Sequence, residues 1–213
     1  MKQSELALNG ERAYHHGDLR RSLIDAGYAL LSEGQNWNFS LREVARRAGV
    51  SHNAPYNHFA EKHDLLAAVA AKGFQELRER MLSSIAGIEN PKTALIKIAS
   101  AVVGFGLENP ARYRLMLASA LSTSAAAGSP LEEAMTASRA VLAEVIYRGA
   151  KAGVFTASPR KKEELQIATL AAFSAVHGLT MLTLDGLVQT VASNMKNVTE
   201  KVARAVARGL FRK

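Results

Sequence analysis

Four of the five prolines in this chain stand directly after a residue that caps helices well: Asn90-Pro91, Asn109-Pro110, Ser129-Pro130 and Ser158-Pro159. Proline is best tolerated at the first helical position, where its missing amide would have found no partner anyway, so each pair reads as a helix start. Apolar residues at helical spacing follow. Leu95, Ile98, Ala99, Val102 and Val103 come after the first pair, and Tyr113, Leu115, Met116, Leu117 and Leu121 after the second. Strand signals are missing, because Asn-Gly occurs once, at Asn9-Gly10, with no β-branched runs beside it. The fold class is therefore all-α, with about nine helices. They are expected at Asp18 to Glu33, Leu41 to Ala48, His52 to Phe59, Glu61 to Ile85, Pro91 to Glu108, Pro110 to Leu121, Pro130 to Ala152, Pro159 to Asp185 and Asn194 to Phe211. Gly34, Gly49, Gly153 and Gly186 each follow a periodic segment, where a left-handed residue ends a helix. Residues 1–16 read as a flexible arm and Ser122 to Ser129 as a flexible small-residue loop.

Residues 40–59 hold two helix starts joined by one glycine turn. Ser40 caps the first and Glu43 reaches back to the Ser40 amide, which is a capping box. Gly49 ends that helix, Val50 tucks under the corner, and Ser51 is placed to cap the next. Helices joined so tightly cross steeply, and the second projects its N-terminal residues into a DNA major groove about 12 Å wide. His52, Asn53, Ala54 and Asn57 are the residues so presented, with Arg42 and Ser51 beside them. Asn53 and Asn57 suit adenine, His52 suits guanine, and the Ala54 methyl suits thymine.

Charge alone does not carry that reading. The 213 residues hold 27 Lys and Arg against 19 Asp and Glu, a formal charge of +8. Residues 1–64, however, are neutral, with eight Lys and Arg balancing eight acids, so the excess lies further on. Cysteine is absent, so burial rather than disulfides must stabilise the fold. No apolar stretch of signal-peptide length opens the chain and no run of eighteen apolar residues appears, which gives a cytoplasmic protein without a membrane partner as the expectation. No metal or other cofactor is expected: His177 is the one histidine beyond residue 64 and has no second His or Cys to complete a site. A nucleophile, base and orienting group are equally invisible, so the chain is not read as an enzyme.

The N-terminal 80 or so residues resemble the tetracycline-repressor family of bacterial transcription regulators. The resemblance rests on Ala26 with the pair Leu30-Leu31 in the first helix, on the unbroken block Ser40 to Ser51, on Tyr56-x-His58-Phe59, and on Lys62 with Leu65-Leu66. Val176-His177-Gly178-Leu179 followed by Asp185-Gly186 is similar to a C-terminal domain of that family that usually shows Trp-His-Gly, with valine here in place of tryptophan. The resemblance implies a DNA-binding domain over residues 17–62 and an effector-binding and dimerisation domain over 63–213. It places Ser40, Tyr56, His58 and Lys62 on the phosphate backbone, where such groups fix register. Pro55 stands where many members have leucine, and the recognition helix is expected to survive it with a slight bend.

The second half carries Phe105, Tyr113, Met116, Met135, Tyr147, Phe173, His177 and Met181, an apolar and aromatic set with a few polar tips. Such a set suits a pocket and equally an ordinary helical core; the resemblance favours a small apolar effector that releases a repressor from a palindromic operator in double-stranded DNA. Ala168, Ala171, Ala172, Ala175 and Gly178 form a small-residue stripe, and Met195, Val198, Val202, Ala205, Val206 and Leu210 an apolar one. These face either a second copy in a homodimer or the chain's own core. Two rival readings stay open: an architectural binder without sequence preference, and an enzyme with a DNA-binding head.

Overall fold

Three of the four capped prolines start helices as expected. Asn90 accepts from the amides of Lys92 at 3.0 Å and Thr93 at 3.2 Å, and the Ser129 hydroxyl accepts from Glu132 at 3.2 Å. The computed structural model describes residues 4–118, 121, 126–188 and 195–210. Among these lie eight α-helices and one 3₁₀ turn: α1 (Ser4–Gly34), α2 (Leu41–Arg47), the turn Ala54–Asn57, α3 (Lys62–Ile85), α4 (Pro91–Glu108), α5 (Pro110–Met116), α6 (Pro130–Lys151), α7 (Lys162–Leu184) and α8 (Met195–Leu210). No strand occurs among the described residues.

Four expectations need correction. The first helix does not wait for Asp18 but begins at Ser4, across the segment read as an arm. Residues 4–17 hold no proline and many good helix formers, so nothing local stops the helix from extending backwards. At its other end the left-handed residue is Gln35, with φ 53°, and Gly34 is still helical. The Ser158-Pro159 pair makes a turn instead of a helix start: the Lys161 amide closes on the Ser158 carbonyl at 3.1 Å and the Ser158 amide donates to Glu164 at 2.8 Å. α7 therefore starts at Lys162. Finally, α5 ends at Met116, five residues short of Leu121, where Ala118 turns back onto the Leu115 carbonyl. Part of the expected loop, residues 122–125, lies outside the described residues, as do the expected ends of the last helix at Asn194 and Phe211.

One hydrophobic core runs through the molecule, from Leu23, Leu31, Val44 and Phe59 at one end to Val145, Ile146 and Phe155 at the other. α3 joins the two ends. Its first turns pack Leu65 and Val69 against α1 at Gly27, while Leu77 and Met81 further along belong to the second half of the fold. The domain boundary expected between residues 62 and 63 thus falls at the first residues of a helix that both halves share. A second small cluster, Val103, Leu179 and Met195, seats α8 on α4 and α7.

α7 is the described helix long and apolar enough to cross a membrane, judged by length and composition. Its faces separate cleanly. Ala168, Ala172, Leu179 and Thr180 are buried within the subunit, whereas Ile167, Leu170 and Leu182 are 60 %, 62 % and 46 % exposed. The small-residue stripe therefore splits, with Ala168 and Ala172 facing the chain's own core and Ala171 outward.

Candidate nucleic-acid interface and ligand cavity

The capping box forms as the sequence implies: the Ser40 amide donates to Glu43 at 2.7 Å and the Glu43 amide to the Ser40 hydroxyl at 3.2 Å. Those bonds from Ser40 hold the Glu43 carboxyl below its ordinary value. Gly49 takes φ 71°, and the Val50 amide then reaches the Ala45 carbonyl at 3.0 Å, which fixes the corner.

The second element differs from expectation. Residues 52–59 do not form an α-helix; they wind as a 3₁₀ turn centred on Ala54–Asn57, with Asn53 and not Ser51 in the capping position and no side-chain cap. Pro55 is the cause. In an α-helix its amide would donate to the Ser51 carbonyl; lacking one, it leaves that carbonyl to the Ala54 amide at 3.0 Å, and Tyr56 follows the same three-residue step to Asn53 at 3.2 Å. The buried Pro55 ring and Phe59 anchor the turn, with the Arg20 guanidinium 5.3 Å from the Phe59 ring.

The tighter winding eclipses residues three apart, so Asn53 and Tyr56 share one outward side. Ser51, His52, Asn53, Tyr56 and Asn57 are all exposed, Tyr56 at 51 %, which leaves its hydroxyl end open to a partner. Ala54 is half-buried. His58, expected beside Tyr56, is instead half-buried in a cleft with Arg20, Ile24 and Lys72, between α1 and α3. Ser40 and Arg42 are exposed at the start of α2, and Lys62 opens α3 with its ammonium 5.5 Å from the Phe39 ring. Arg47 is paired with Glu33.

A cavity of about 760 Å³ opens in the second half, between α3, α4, α5, α6 and α7. Its depth is apolar, from Phe74, Leu77, Met81, Leu95, Ile98 and Val102, residues that the sequence did not single out for this role. Of the expected set, Tyr113, Met116, Tyr147 and Phe173 line it. Phe105 and Met135 do not, being buried in the packed core, and Met181 packs against that core. His177 stands one layer back, its ring stacked on Phe173 at 5.6 Å and its Nδ1 3.1 Å from the Tyr113 hydroxyl. Burial lowers the His177 pKa, which favours the neutral ring, and burial pushes the Tyr113 pKa up to about 12, so the hydrogen bond joins two uncharged groups near pH 7.

Three consecutive residues of α5 connect this cavity to its surroundings. Arg112 reaches away from it to α1, donating to the Ser32 hydroxyl at 2.8 Å and covering the Tyr28 ring at 3.6 Å. Tyr113 faces the cavity and His177, and Arg114 pairs with Asp185 at the end of α7. Met116, the last residue of the helix, lies against Gly73 of α3 so closely that a Cβ there would sit 2.6 Å from its sulfur.

Residues 23–69 match the family described as bacterial regulatory proteins, tetR family, and residues 95–206, more than half of the chain, match the tetracycline repressor-like C-terminal domain. The chain belongs to the tetracycline-repressor family. Similar solved structures include a protein of unknown function from Rhodococcus sp. RHA1, 28 % identical over 93 % of this chain and 98 % of that one, with a TM-score of 0.77. A tetR-family regulatory protein from Rhodococcus RHA1 is 16 % identical over 91 % and 97 %, TM-score 0.65. The ketosteroid transcriptional regulator KstR2 of Mycobacterium tuberculosis is 16 % identical over 91 % and 95 %, TM-score 0.61. The protein is thus a transcriptional regulator with an N-terminal DNA-binding unit and a C-terminal ligand-binding unit. Regulators of this family are soluble, bind DNA and ligands, form dimers, and are in general not enzymes.

Proposed function

We propose that this tetracycline-repressor-family protein is a cytoplasmic repressor that holds a palindromic operator as a homodimer and lets go when a small, mainly apolar effector fills the cavity. In this reading His52, Asn53, Asn57 and the Ala54 methyl meet base edges, while Ser40, Arg42, Ser51, Tyr56 and Lys62 hold phosphates. His58 supports the turn from beneath. The second subunit covers the exposed face of α7, because apolar side chains as open as Ile167, Leu170 and Leu182 favour burial, and one recognition element alone buries too little surface for tight binding.

The observation that carries the release mechanism is the placement of α5, with Tyr113 and Met116 in the cavity wall and Arg112 clamped on α1. A ligand that displaces Tyr113 or Met116 moves the same seven-residue helix that grips α1, and α1 carries the recognition turn through Arg20 and Phe59. Two recognition elements then lose the spacing of about 34–36 Å that one helical turn of DNA demands.

A selection from random duplexes tests this directly. A two-fold motif should emerge, and a ligand found by thermal shift should lower affinity for it. The variant Arg112→Gln should keep ligand binding yet lose most of the ligand-driven release. Enrichment of no motif sinks the operator, and full release by the Arg112 variant sinks the α5 route.

A further inference from the structure

The two ends of the ligand cavity offer different chemistry. Its depth is hydrocarbon and aromatic, while its edge carries Arg139 and Glu144 from α6 and Lys162 from the first turn of α7, all exposed. None of these three has an ion-pair partner within 4.0 Å among the described residues, which leaves one net positive charge among the ionised residues that line the cavity. Of the two acids in the first turn of α7, Glu164 is held by Lys161 at 2.8 Å and Glu163 does not line the cavity. Lys161 supplies no side-chain cap to α7, so the partial positive charge of that helix start adds to the edge.

A hydroxyl lines the same cavity. Ser138 is buried, lines the cavity, and its hydroxyl makes no side-chain hydrogen bond with any described residue. The other wall hydroxyls are occupied: Thr169 donates to the Leu165 carbonyl at 2.7 Å, and Tyr113 meets His177. A guanidinium and an ammonium at the edge of an apolar void, with a free hydroxyl in its wall, suit a carboxylate, which accepts from all three and binds a guanidinium through both oxygens. An ammonium head would be repelled, and a neutral head would gain burial of its body alone.

We infer that the effector is an amphipathic carboxylate, its apolar body seated among Leu77, Met81, Ile98 and Phe173 and its head held by Arg139, Lys162 and Ser138. This rests on reading the cavity as the effector site. Calorimetric titration of the DNA-free protein with decanoate, decanol and decylamine, all ten-carbon chains, separates the head from the body. Decanoate should bind about tenfold or more tightly than decanol, the gain typical of a charged hydrogen bond, and decylamine should bind most weakly. The double variant Arg139→Gln/Lys162→Gln, whose melting temperature should stay at the wild-type value because both side chains are exposed, should lose the preference and keep its decanol affinity. Equal binding of acid and alcohol by the wild-type protein, preference for the amine, no binding of any of the three, or a preference that survives the double variant would each overturn the proposal. Failure of the repressor reading shows up elsewhere, as unchanged operator affinity in ligand-saturated protein.

Discussion

Asn53 and Lys62 test different kinds of contact from neighbouring positions. Asn53 is exposed on the outward side of the recognition turn, whereas Lys62 stands at the start of a helix with its stem along Phe39. Asn53→Ala should cost about 1–3 kcal/mol against the best operator and nothing against one already altered at the matching base pair. Lys62→Ala should weaken every duplex alike and flatten the salt dependence; titrations against a panel of single-substituted operators read both effects. His177 makes a prediction about pH. Its pKa is lowered by burial, so the unfolded chain takes up a proton near pH 6.5 before the folded one does. The stability this neutral ring contributes is complete above that pH and is lost as the pH falls below it. Melting temperatures measured downward from pH 7.5 should drop more steeply for the wild type than for His177→Gln. Tyr113, Met116, Tyr147 and Phe173 were legible as inward-facing residues, of a pocket or a core alike, because aromatic and sulfur side chains at helical spacing mark an apolar interior, and they line the cavity. Phe105 and Met135 carry the same signature and lie in solid core, since periodicity tells which side is inward and not where packing leaves a void.

The recognition turn is the element whose form hangs on a single residue. Leucine at position 55 would restore an amide for the Ser51 carbonyl and allow a full α-helix over residues 52–59, with side chains spaced by about 100° per residue instead of about 120°. Pro55→Leu should therefore raise helical ellipticity and change base preference at one or two positions by about 1–3 kcal/mol, read from a repeat of the duplex selection. An unchanged motif would show that the turn geometry does not set specificity. The same lesson governs what could be seen in advance. Asn90-Pro91, Asn109-Pro110 and Ser129-Pro130 announced helices because cap and proline act within one turn of chain. Ser158-Pro159 failed because Glu164, six residues on, captures the Ser158 amide and holds a turn there. The Ser40–Glu43 box and the Gly49 corner were readable for the local reason again, while the effect of Pro55 depended on which carbonyl would be left over.

At the level of the whole molecule, the proposed pairing through the open side of α7 is testable by charge. Replacing both Ile167 and Leu182 with aspartate places charge where two apolar surfaces should meet, without touching the residues that face the subunit's own core. Sedimentation should show single subunits for this variant, and operator affinity should fall by roughly a hundredfold or more, as expected when two linked contacts become independent. A variant that stays paired would move the interface elsewhere. α3 has a different consequence. It starts under the DNA reader and finishes in the wall of the cavity, so neither half of the protein owns a complete interior. Grafting this reader onto another sensor is then not an exchange of beads along a string: the donor helix has to travel with the head, and its far end must be recut to fit a foreign cavity.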